Sequence, residues 1–354
     1  MTSVRAGEER CSIDRMTHQP LTRDSGDGTL AFRRIHGCGN DYVFVRGEDL
    51  ARRDPSRLAI ALSDRHFGVG GDGLIAVDAA PAPDDADLGM RMWNADGSES
   101  GMCGNGLRGA LLFAVEEGLI APAAGDRLRV RVGSRLVTAS LAAHERGRAE
   151  VEIDMGPPVV ESRRVPVAWG GIDPSERLLG EPTTRLRGCG VPDGAWRVLA
   201  SLVERWSAVS MGNPHLVLEV EESSLATIDL PVLGAALEHA AGFPERINVH
   251  VVAALGPDAF RMATWERGSG ITLACGSGAC ASFAALRATG RVAGRAVARL
   301  PGGELRLREG DGGSILMRGE AVETCRGTTR PESLPARPRG DVGCRVVEVV
   351  GAGS

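Results

Sequence analysis

Two cysteines occupy matched positions in the 354-residue sequence. Cys103 is followed by Gly-Asn-Gly and Cys275 by Gly-Ser-Gly, and each turn leads into an apolar segment with helical character. The two segments are LRGALLFAVEEGL and ACASFAALRATG, and each ends near a glycine, as helices commonly do. The pattern therefore predicts two helices, each with a cysteine at its start.

A cysteine at a helix start is suited to acid–base chemistry. The first N–H groups of a helix have no partner within the helix, and the helix dipole adds partial positive charge there. This setting favours the thiolate and turns a thiol into a base that works near neutral pH. The same N–H groups bind anions such as a carboxylate. One cysteine beside glycines is more often a packing residue, but two in matched settings favour a function.

Two such turns facing each other could grip the carboxylate of an amino acid and present one sulfur to each face of its α-carbon. One thiolate would remove the α-proton, and a thiol on the opposite face would return one. Amide donors on the carboxylate would stabilise the carbanion, and exclusion of water would strengthen those contacts. The residues thus indicate a racemase or epimerase with Cys103 and Cys275 as its catalytic pair.

Composition excludes several other classes of protein. The sequence contains no lysine, so it cannot hold pyridoxal phosphate as the usual Schiff base and has no Walker lysine. We therefore expect no bound cofactor. Its 41 basic and 46 acidic residues are interspersed, which argues against nucleic acid as a partner.

Targeting signals and metal motifs are also not expected. No apolar run approaches the roughly 20 residues that cross a bilayer, and the first residues are too polar for a secretory signal, so we expect no membrane association and a cytoplasmic location. The eight cysteines include no CxxC pair, so we expect no metal site. Apart from the catalytic pair, the cysteines, including Cys38 and Cys280, are interpreted as packing residues.

The elements needed to position the cysteines suggest an α+β fold built from two similar halves. Asn94 lies nine residues before Cys103, and Glu266 lies nine residues before Cys275. The runs LRVRVGS, RLVTASLAA and AEVEIDMG predict a strand meander, and PVLGAALEHAA predicts a helix. We expect a polar N-terminal extension over 1–29, a first half over 30–155 that can include a final strand near 315–327, a second half over 156–314, and a C-terminal tail over 328–354.

Roughly residues 31–327 resemble the diaminopimelate epimerase family. The resemblance implies a cofactor-free interconversion of LL- and meso-diaminopimelate, a reaction of lysine and cell-wall synthesis. It also implies a small amino-acid substrate, a homodimer, and an active site in the cleft between two α/β halves. The motifs that carry it are HGCGNDYVFV (36–45), RHFGVGGDGLI (65–75), WNADGSESGMCGNGLR (93–108), VSMGNPH (209–215), FPERINV (243–249) and WERGSGITLACGSGAC (265–280).

The resemblance also implies roles for residues around the cysteines. His215 and Glu266 match residues beside the catalytic pair, where each could tune a thiol or hold the substrate's amino group. Arg267 matches the residue that holds the distal carboxylate, a task suited to a guanidinium. Four asparagines match residues that hydrogen-bond the substrate, and four positions match the amide donors for the reacting carboxylate: Asn40, Asn94, Asn213 and Asn248, and Gly104, Asn105, Gly276 and Ser277.

Structural interpretations of the same residues stay open. The asparagines of GND and NADG suit turns, a lone histidine is ordinarily structural, and Arg267 could form a surface ion pair. Ile271 stands where the family usually has Glu, and the chain has additional segments at both ends and around 159–205. These departures keep open a racemase for another amino acid in secondary metabolism. A non-catalytic ligand-binding relative is the third alternative.

Overall fold

The computed structural model describes residues 28–79, 85–101 and 104–334. Cys103, nearly all of the predicted N-terminal extension and most of the predicted tail lie outside these residues. Within them the fold is α+β and consists of two similar halves, as predicted. No helix in this part of the chain is both long and apolar enough to cross a membrane.

The first half contains the predicted meander and the predicted helix after the first glycine turn. The meander is β6–β8, and the helix begins at Gly104, directly after the turn's cysteine. The strands are β1 (Leu30–Gly37), β2 (Asn40–Arg46), β3 (Gly73–Ala79), β4 (Leu88–Asn94), β5 (Glu99–Ser100), β6 (Arg127–Val132), β7 (Arg135–Glu145) and β8 (Arg148–Asp154), and the helices are α1 (Pro55–Ser63) and α2 (Gly104–Glu116).

The second half contains the two other predicted helices, α6 and α7. It also contains short elements within 159–205, a region in which the sequence showed few motifs. The strands are β9 (Glu181–Pro182), β10 (Val203–Ser210), β11 (Pro214–Val220), β12 (Asn248–Gly256), β13 (Ala259–Glu266), β14 (Gly270–Thr272), β15 (Arg295–Leu300), β16 (Gly303–Glu309) and β17 (Ile315–Thr329). The helices are α3 (Thr183–Leu186), α4 (Asp193–Leu202), α5 (Glu222–Leu225), α6 (Leu230–Glu238) and α7 (Gly276–Ala288).

Strand pairing follows the same order in both halves. In the first half, β1–β2 is antiparallel, β2–β3 parallel, β3–β4 antiparallel, β4–β6 parallel, and β6–β7–β8 antiparallel. In the second, β10–β11 is antiparallel, β11–β12 parallel, β12–β13 antiparallel, β13–β15 parallel, and β15–β16–β17 antiparallel. This repetition places α2 and α7 at equivalent positions, each after a short strand, β5 or β14.

The long strand β17 belongs to the sheets of both halves. It pairs with β16 in the second half and with β8 and β1 in the first, where it closes a ring of strands. Backbone hydrogen bonds between Ile315 and both Met155 and Gly156, and a bridge from Val159 to Ser210, close the second half in the same way. The domain boundary near residue 155 stays a prediction. β17 runs two residues into the predicted tail, since Thr328 and Thr329 pair with β1.

Apolar side chains of α2 and α7 fill the space enclosed by the strands. Twelve of the thirteen residues of α2 are buried, and a single core cluster contains Phe113 of α2, Phe283 of α7 and Met317 of β17. The rings of Phe44 and Phe113 stack with centroids 6.0 Å apart. The helices α2 and α7 are thereby anchored to one continuous core.

The cysteines assigned to packing divide into buried and exposed residues. Cys38, Cys189 and Cys280 are buried, and burial raises the pKa of each thiol, so they behave as packing residues. The assignment is wrong for Cys325, which is exposed. Beyond Val322, β17 no longer pairs with β8, and the end of the strand leaves the enclosed core.

Gly109 of α2 tests how tightly the first half is packed. A Cβ at this position would lie 2.4 Å from Cζ of the fully buried Phe44, whose ring is held by Phe113. We expect Gly109→Ala to lower the free energy of unfolding by about 1–3 kcal/mol through overpacking, although alanine favours helix. Urea denaturation measures this change.

Gly194 in α4 is the matched control. It is exposed, and a Cβ there meets nothing within 4 Å. Gly194→Ala should therefore leave stability unchanged or raise it by up to about 1 kcal/mol. An unchanged free energy of unfolding in Gly109→Ala would contradict tight packing of Phe44 against α2.

Candidate active site

Cys275 is the N-cap residue of α7, with φ −127° and ψ 107°. Its Sγ accepts a hydrogen bond from the backbone N–H of Gly278 at 3.4 Å and lies 3.6 Å from Oγ of Ser277. The residue is only 5% exposed. A buried sulfur that caps a helix start is the environment predicted for a reactive thiol.

The starts of α2 and α7 meet at Met317. A Cβ on Gly104 would lie 2.9 Å from Cε of Met317, and a Cβ on Gly276 would lie 3.2 Å from the same atom. Gly276 also adjoins Oδ1 of Asn105, at 3.9 Å from such a Cβ. The side chain of Met317 therefore lies against both first positions, and the two helix starts approach each other across this one side chain.

Arg108 holds the first turn of α2. Its guanidinium is fully buried, and Nη2 donates to Oδ1 of Asn105 at 2.7 Å. Nε donates to the carbonyl of Glu320 on β17 at 3.1 Å. The side chain thus ties the helix start to the strand that the two halves share. No sequence pattern indicated a role for Arg108, although it lies five residues after Cys103.

A chain of hydrogen bonds runs through two buried histidines. Nε2 of His215 lies 2.9 Å from Oδ1 of Asn213, and Nδ1 of His215 lies 2.8 Å from Nε2 of His250. Nδ1 of His250 lies 3.1 Å from Oγ1 of Thr264. Because Oδ1 only accepts, Nε2 of His215 donates to it, His250 donates to Nδ1 of His215, and the hydroxyl of Thr264 donates to His250.

Both imidazoles are neutral. Burial lowers the pKa of His215 well below its usual range, and the nearby His250 and Arg267 lower it further. Burial alone lowers the pKa of His250 to about 3. His215 therefore offers hydrogen bonds beside the thiol, with no positive charge.

Glu266 lies at the end of β13, beside the thiol of Cys275. Burial raises the pKa of its carboxyl group, while hydrogen bonds with Thr272 and Cys275 act in the opposite direction. The hydroxyl of Thr272 donates to Oε1 of Glu266 at 2.6 Å. A carboxyl group is thus present next to Cys275.

Ile271 lies on the other face of the same hairpin. It precedes Thr272 on β14, where successive side chains point to opposite faces, and it is 56% exposed. Ile271 therefore takes no part in the contacts of Glu266. The replacement of the family's usual Glu changes the surface beside the site.

Arg267 and Asn248 lie next to these residues in the second half. Asn248 accepts from the backbone N–H of Arg267 at 3.0 Å and donates to the carbonyl of Pro214 at 2.8 Å. Nη1 of Arg267 donates to the carbonyl of Glu245 at 2.7 Å. Arg267 forms no ion pair with a described residue, and its charge acts on His215. Asn248 thus fixes the backbone of Arg267 against that of Pro214, and the substrate contact expected for Asn248 stays a prediction.

The predicted residues of the first half approach this group from the opposite side. A Cβ on Gly39, the neighbour of Asn40, would lie 2.8 Å from Cδ1 of Leu273, two residues before Cys275. Oδ1 of Asn40 is buried and has no hydrogen-bond partner among the described residues. Asn94 instead binds Ser98 in its own turn, through both its backbone N–H and Nδ2, at 2.9 Å each.

The structure therefore brings most predicted residues together and adds His250. In the described part of the chain, Asn40, Gly104, Asn105, Asn213, His215, Asn248, Glu266, Arg267, Gly276 and Ser277 lie around or beside Cys275, as detailed above. Cys103 lies outside the described residues. The signal for His250 was its place two residues after Asn248 on one strand, which puts both on the same face.

Comparison with known proteins identifies relatives of the whole fold. The family model described as diaminopimelate epimerase matches residues 32–161 and 207–324. A diaminopimelate epimerase of Synechococcus elongatus is 37% identical over 301 residues, covering 85% of this chain and 98% of the relative. The diaminopimelate epimerase of Zymomonas mobilis is 37% identical over 303 residues, covering 84% of this chain and 97% of the relative.

Solved structures share the fold at low sequence identity. A phenazine biosynthesis protein of the PhzF family from Bacillus anthracis has a TM-score of 0.59 at 13% identity, covering 85% of this chain and 99% of its own. A predicted epimerase from Pseudomonas aeruginosa has a TM-score of 0.58 at 18% identity, with the same coverage. The match of the family model to most of the chain, with the sequence identity over nearly the full length of these relatives, shows that this chain belongs to the diaminopimelate epimerase family.

Proposed function

We propose that this chain is an isomerase that interconverts LL- and meso-diaminopimelate with Cys103 and Cys275 as its acid and base. The observation that carries the proposal is the meeting of two helix starts at Met317, one of them capped by the buried thiol of Cys275. Cys103 is bonded to Gly104, the first residue of the other helix. The two sulfurs therefore belong to the two turns that converge.

The reacting carboxylate fits between the two helix starts. First-turn N–H groups of Gly104, Asn105, Gly276 and Ser277 are not needed within their helices, so they can donate to it. Gly104 and Gly276 carry no side chains, so the backbone of both helix starts can approach the ligand closely. Negative charge that develops on the carboxylate during deprotonation is stabilised by these fixed donors.

The proton balance needs only the two sulfurs. The thiolate of one cysteine takes the α-proton and becomes a thiol, and the thiol of the other gives a proton to the opposite face and becomes a thiolate. His215 is neutral, so it does not stabilise a thiolate by charge. Glu266 and Asn40 are suited to the substrate's ammonium group, because both have side-chain oxygens buried beside the site.

Arg267 is the group suited to the distal carboxylate. Its backbone is fixed by Asn248, and Nη1 is directed by the carbonyl of Glu245, so the guanidinium is held near the site. A guanidinium held this way can bind a carboxylate through two hydrogen bonds. The alternative substrate, another amino acid, drew support from Ile271, and the exposure of that side chain weakens it.

Three further expectations belong to the same proposal. We infer that the enzyme works without pyridoxal phosphate, as a homodimer, in the cytoplasm. The missing lysine supports the first, the resemblance to the family supports the second, and the third stays an expectation from the sequence. Activity of protein free of pyridoxal phosphate and light scattering on the purified full chain test the first two.

The catalytic pair is tested by exchange of the α-proton in deuterated water. Cys103→Ala and Cys275→Ala should each lower the epimerisation of LL-diaminopimelate by at least about 10²–10⁴-fold, because each removes one acid–base group. Cys325→Ser, at an exposed cysteine away from the site, is the control and should retain full activity. If the unaltered protein shows no deuterium exchange at the α-carbon and forms no meso product, the proposed function is refuted.

The role of Arg267 is tested by comparing two substrates. Diaminopimelate and lysine differ at the distal carboxylate, so the ratio of their kcat/KM values reports the contribution of that group. We expect Arg267→Gln to reduce kcat/KM for diaminopimelate by about 10–100-fold, because it removes charged hydrogen bonds that contribute roughly 1.5–3 kcal/mol of binding free energy. Exchange of the α-proton in lysine should change little.

Arg261→Gln is the matched control for this comparison. Arg261 lies on β13, the strand that ends directly before Arg267; it is exposed and pairs with Glu222 at 2.7 Å. Arg261→Gln should leave the kcat/KM values for diaminopimelate and for lysine unchanged. An unaltered substrate ratio in Arg267→Gln would assign the distal carboxylate to another residue.

A further inference from the structure

Three side chains of metal-ligand type converge on the candidate active site. One ring nitrogen of His215, one of His250 and Sγ of Cys275 lie within 4.8 Å of one another, and all three residues are buried. They come from β11, from the neighbouring parallel strand β12, and from the N-cap of α7. Their separation in sequence explains why no spacing motif indicated a metal.

The hydrogen bonds of the two histidines resemble those of ligating imidazoles. A histidine that binds a metal normally has its other ring nitrogen fixed by an oxygen atom. Here Nε2 of His215 is fixed by Oδ1 of Asn213, and Nδ1 of His250 is fixed by Oγ1 of Thr264. The remaining nitrogens, Nδ1 of His215 and Nε2 of His250, are 2.8 Å apart and share one proton.

Packing holds the ring of His250 against the turn that carries Cys275. A Cβ on Gly278 would lie 2.2 Å from Cε1 and 2.6 Å from Nε2 of His250, so the ring occupies the space that a side chain would need. Gly278 is also the residue whose N–H donates to Sγ of Cys275. The ligand atoms are therefore brought together by the fold before any ion binds.

The geometry points to a Zn²⁺ site formed by Cys275, His215 and His250, in which the ion captures the catalytic sulfur and inhibits the enzyme. Two imidazole nitrogens and one thiolate suit a tetrahedral zinc ion, with water or a substrate oxygen in the fourth position. The inhibitory effect rests on the proposed function. Binding of the ion does not.

The proton balance of binding is simple. The thiol of Cys275 loses its proton to solvent, and its sulfur bonds to the metal. The proton of His250 moves from Nε2 to Nδ1, where it is donated to Oγ1 of Thr264, whose hydroxyl turns to accept it. His215 keeps its proton on Nε2, toward Asn213. At most one proton is released for each ion bound, and nothing is oxidised or reduced.

Cobalt reports the ligands directly. Reduced, full-length protein titrated with Co²⁺ should develop a sulfur-to-cobalt charge-transfer band and the visible bands of tetrahedral cobalt at one equivalent, and Zn²⁺ should displace the spectrum. Cys275→Ala should lose the charge-transfer band. No band with the unaltered protein, or an unchanged band in Cys275→Ala, would overturn the proposal.

Variants at His250 and at Thr264 distinguish this three-ligand site from a site formed by cysteines alone. His250→Asn removes a ligand and should weaken binding by more than the roughly 10–100-fold typical of an outer-sphere change. A site made by the two active-site cysteines alone would keep its affinity in this variant, which would contradict the proposal. Thr264→Val keeps all three ligands and should weaken binding by about 10–100-fold, so it provides a second test if His250→Asn fails to fold.

Cys325→Ser is the control for adventitious binding at an exposed thiol, and its cobalt spectrum and affinity should equal those of the unaltered protein. Loss of the band in that variant would place the ion at the surface. In the activity assay, Zn²⁺ should inhibit exchange of the α-proton competitively with substrate, and a chelator should restore it. A protein that binds cobalt at Cys275 but exchanges no α-proton would refute the proposed function and support the metal site. A protein that exchanges the α-proton but binds no cobalt at Cys275 would support the proposed function and refute the metal site.

Discussion

The rest of the site depends on the convergence of two buried helix starts. Each start carries N–H groups that its own helix cannot satisfy, and the dipoles of α2 and α7 add partial positive charge at the same place. Such an arrangement is unfavourable without negative charge or acceptor atoms nearby. The sulfur of Cys275 supplies one acceptor, and a substrate carboxylate between the helices would supply two more. The way the helices are enclosed is therefore the physical basis of the proposed carboxylate binding.

The enclosure itself results from repeated strand order. The same sequence of parallel and antiparallel pairs surrounds α2 and α7, and β17 joins the two rings. Within this frame, small residues determine how closely the elements approach. Gly104 and Gly276 adjoin Met317, and Gly278 adjoins His250. The glycines of the two turns therefore serve packing as well as ligand approach.

Local patterns predicted the elements well, and long-range contacts were harder to foresee. The helices after both glycine turns, the meander and the two-half organisation follow from periodicity and turn residues that act within a few positions. His250 was missed because β12 is buried on both faces, so alternation did not mark its inner side. Its partners lie on β11, β13 and α7. The exposure of Ile271 and Cys325 likewise depends on which neighbouring strands are present, which one sequence does not reveal.

The shared strand also affects how the chain can fold during synthesis. β1 and β8 are made early, yet both find their partner in β17, which the ribosome makes only after the entire second half. Until then the first half has two open strand edges, and open edges are prone to pair with other chains. The first half is therefore completed only after β17 has been made, and a chain that stops before residue 315 leaves both halves incomplete.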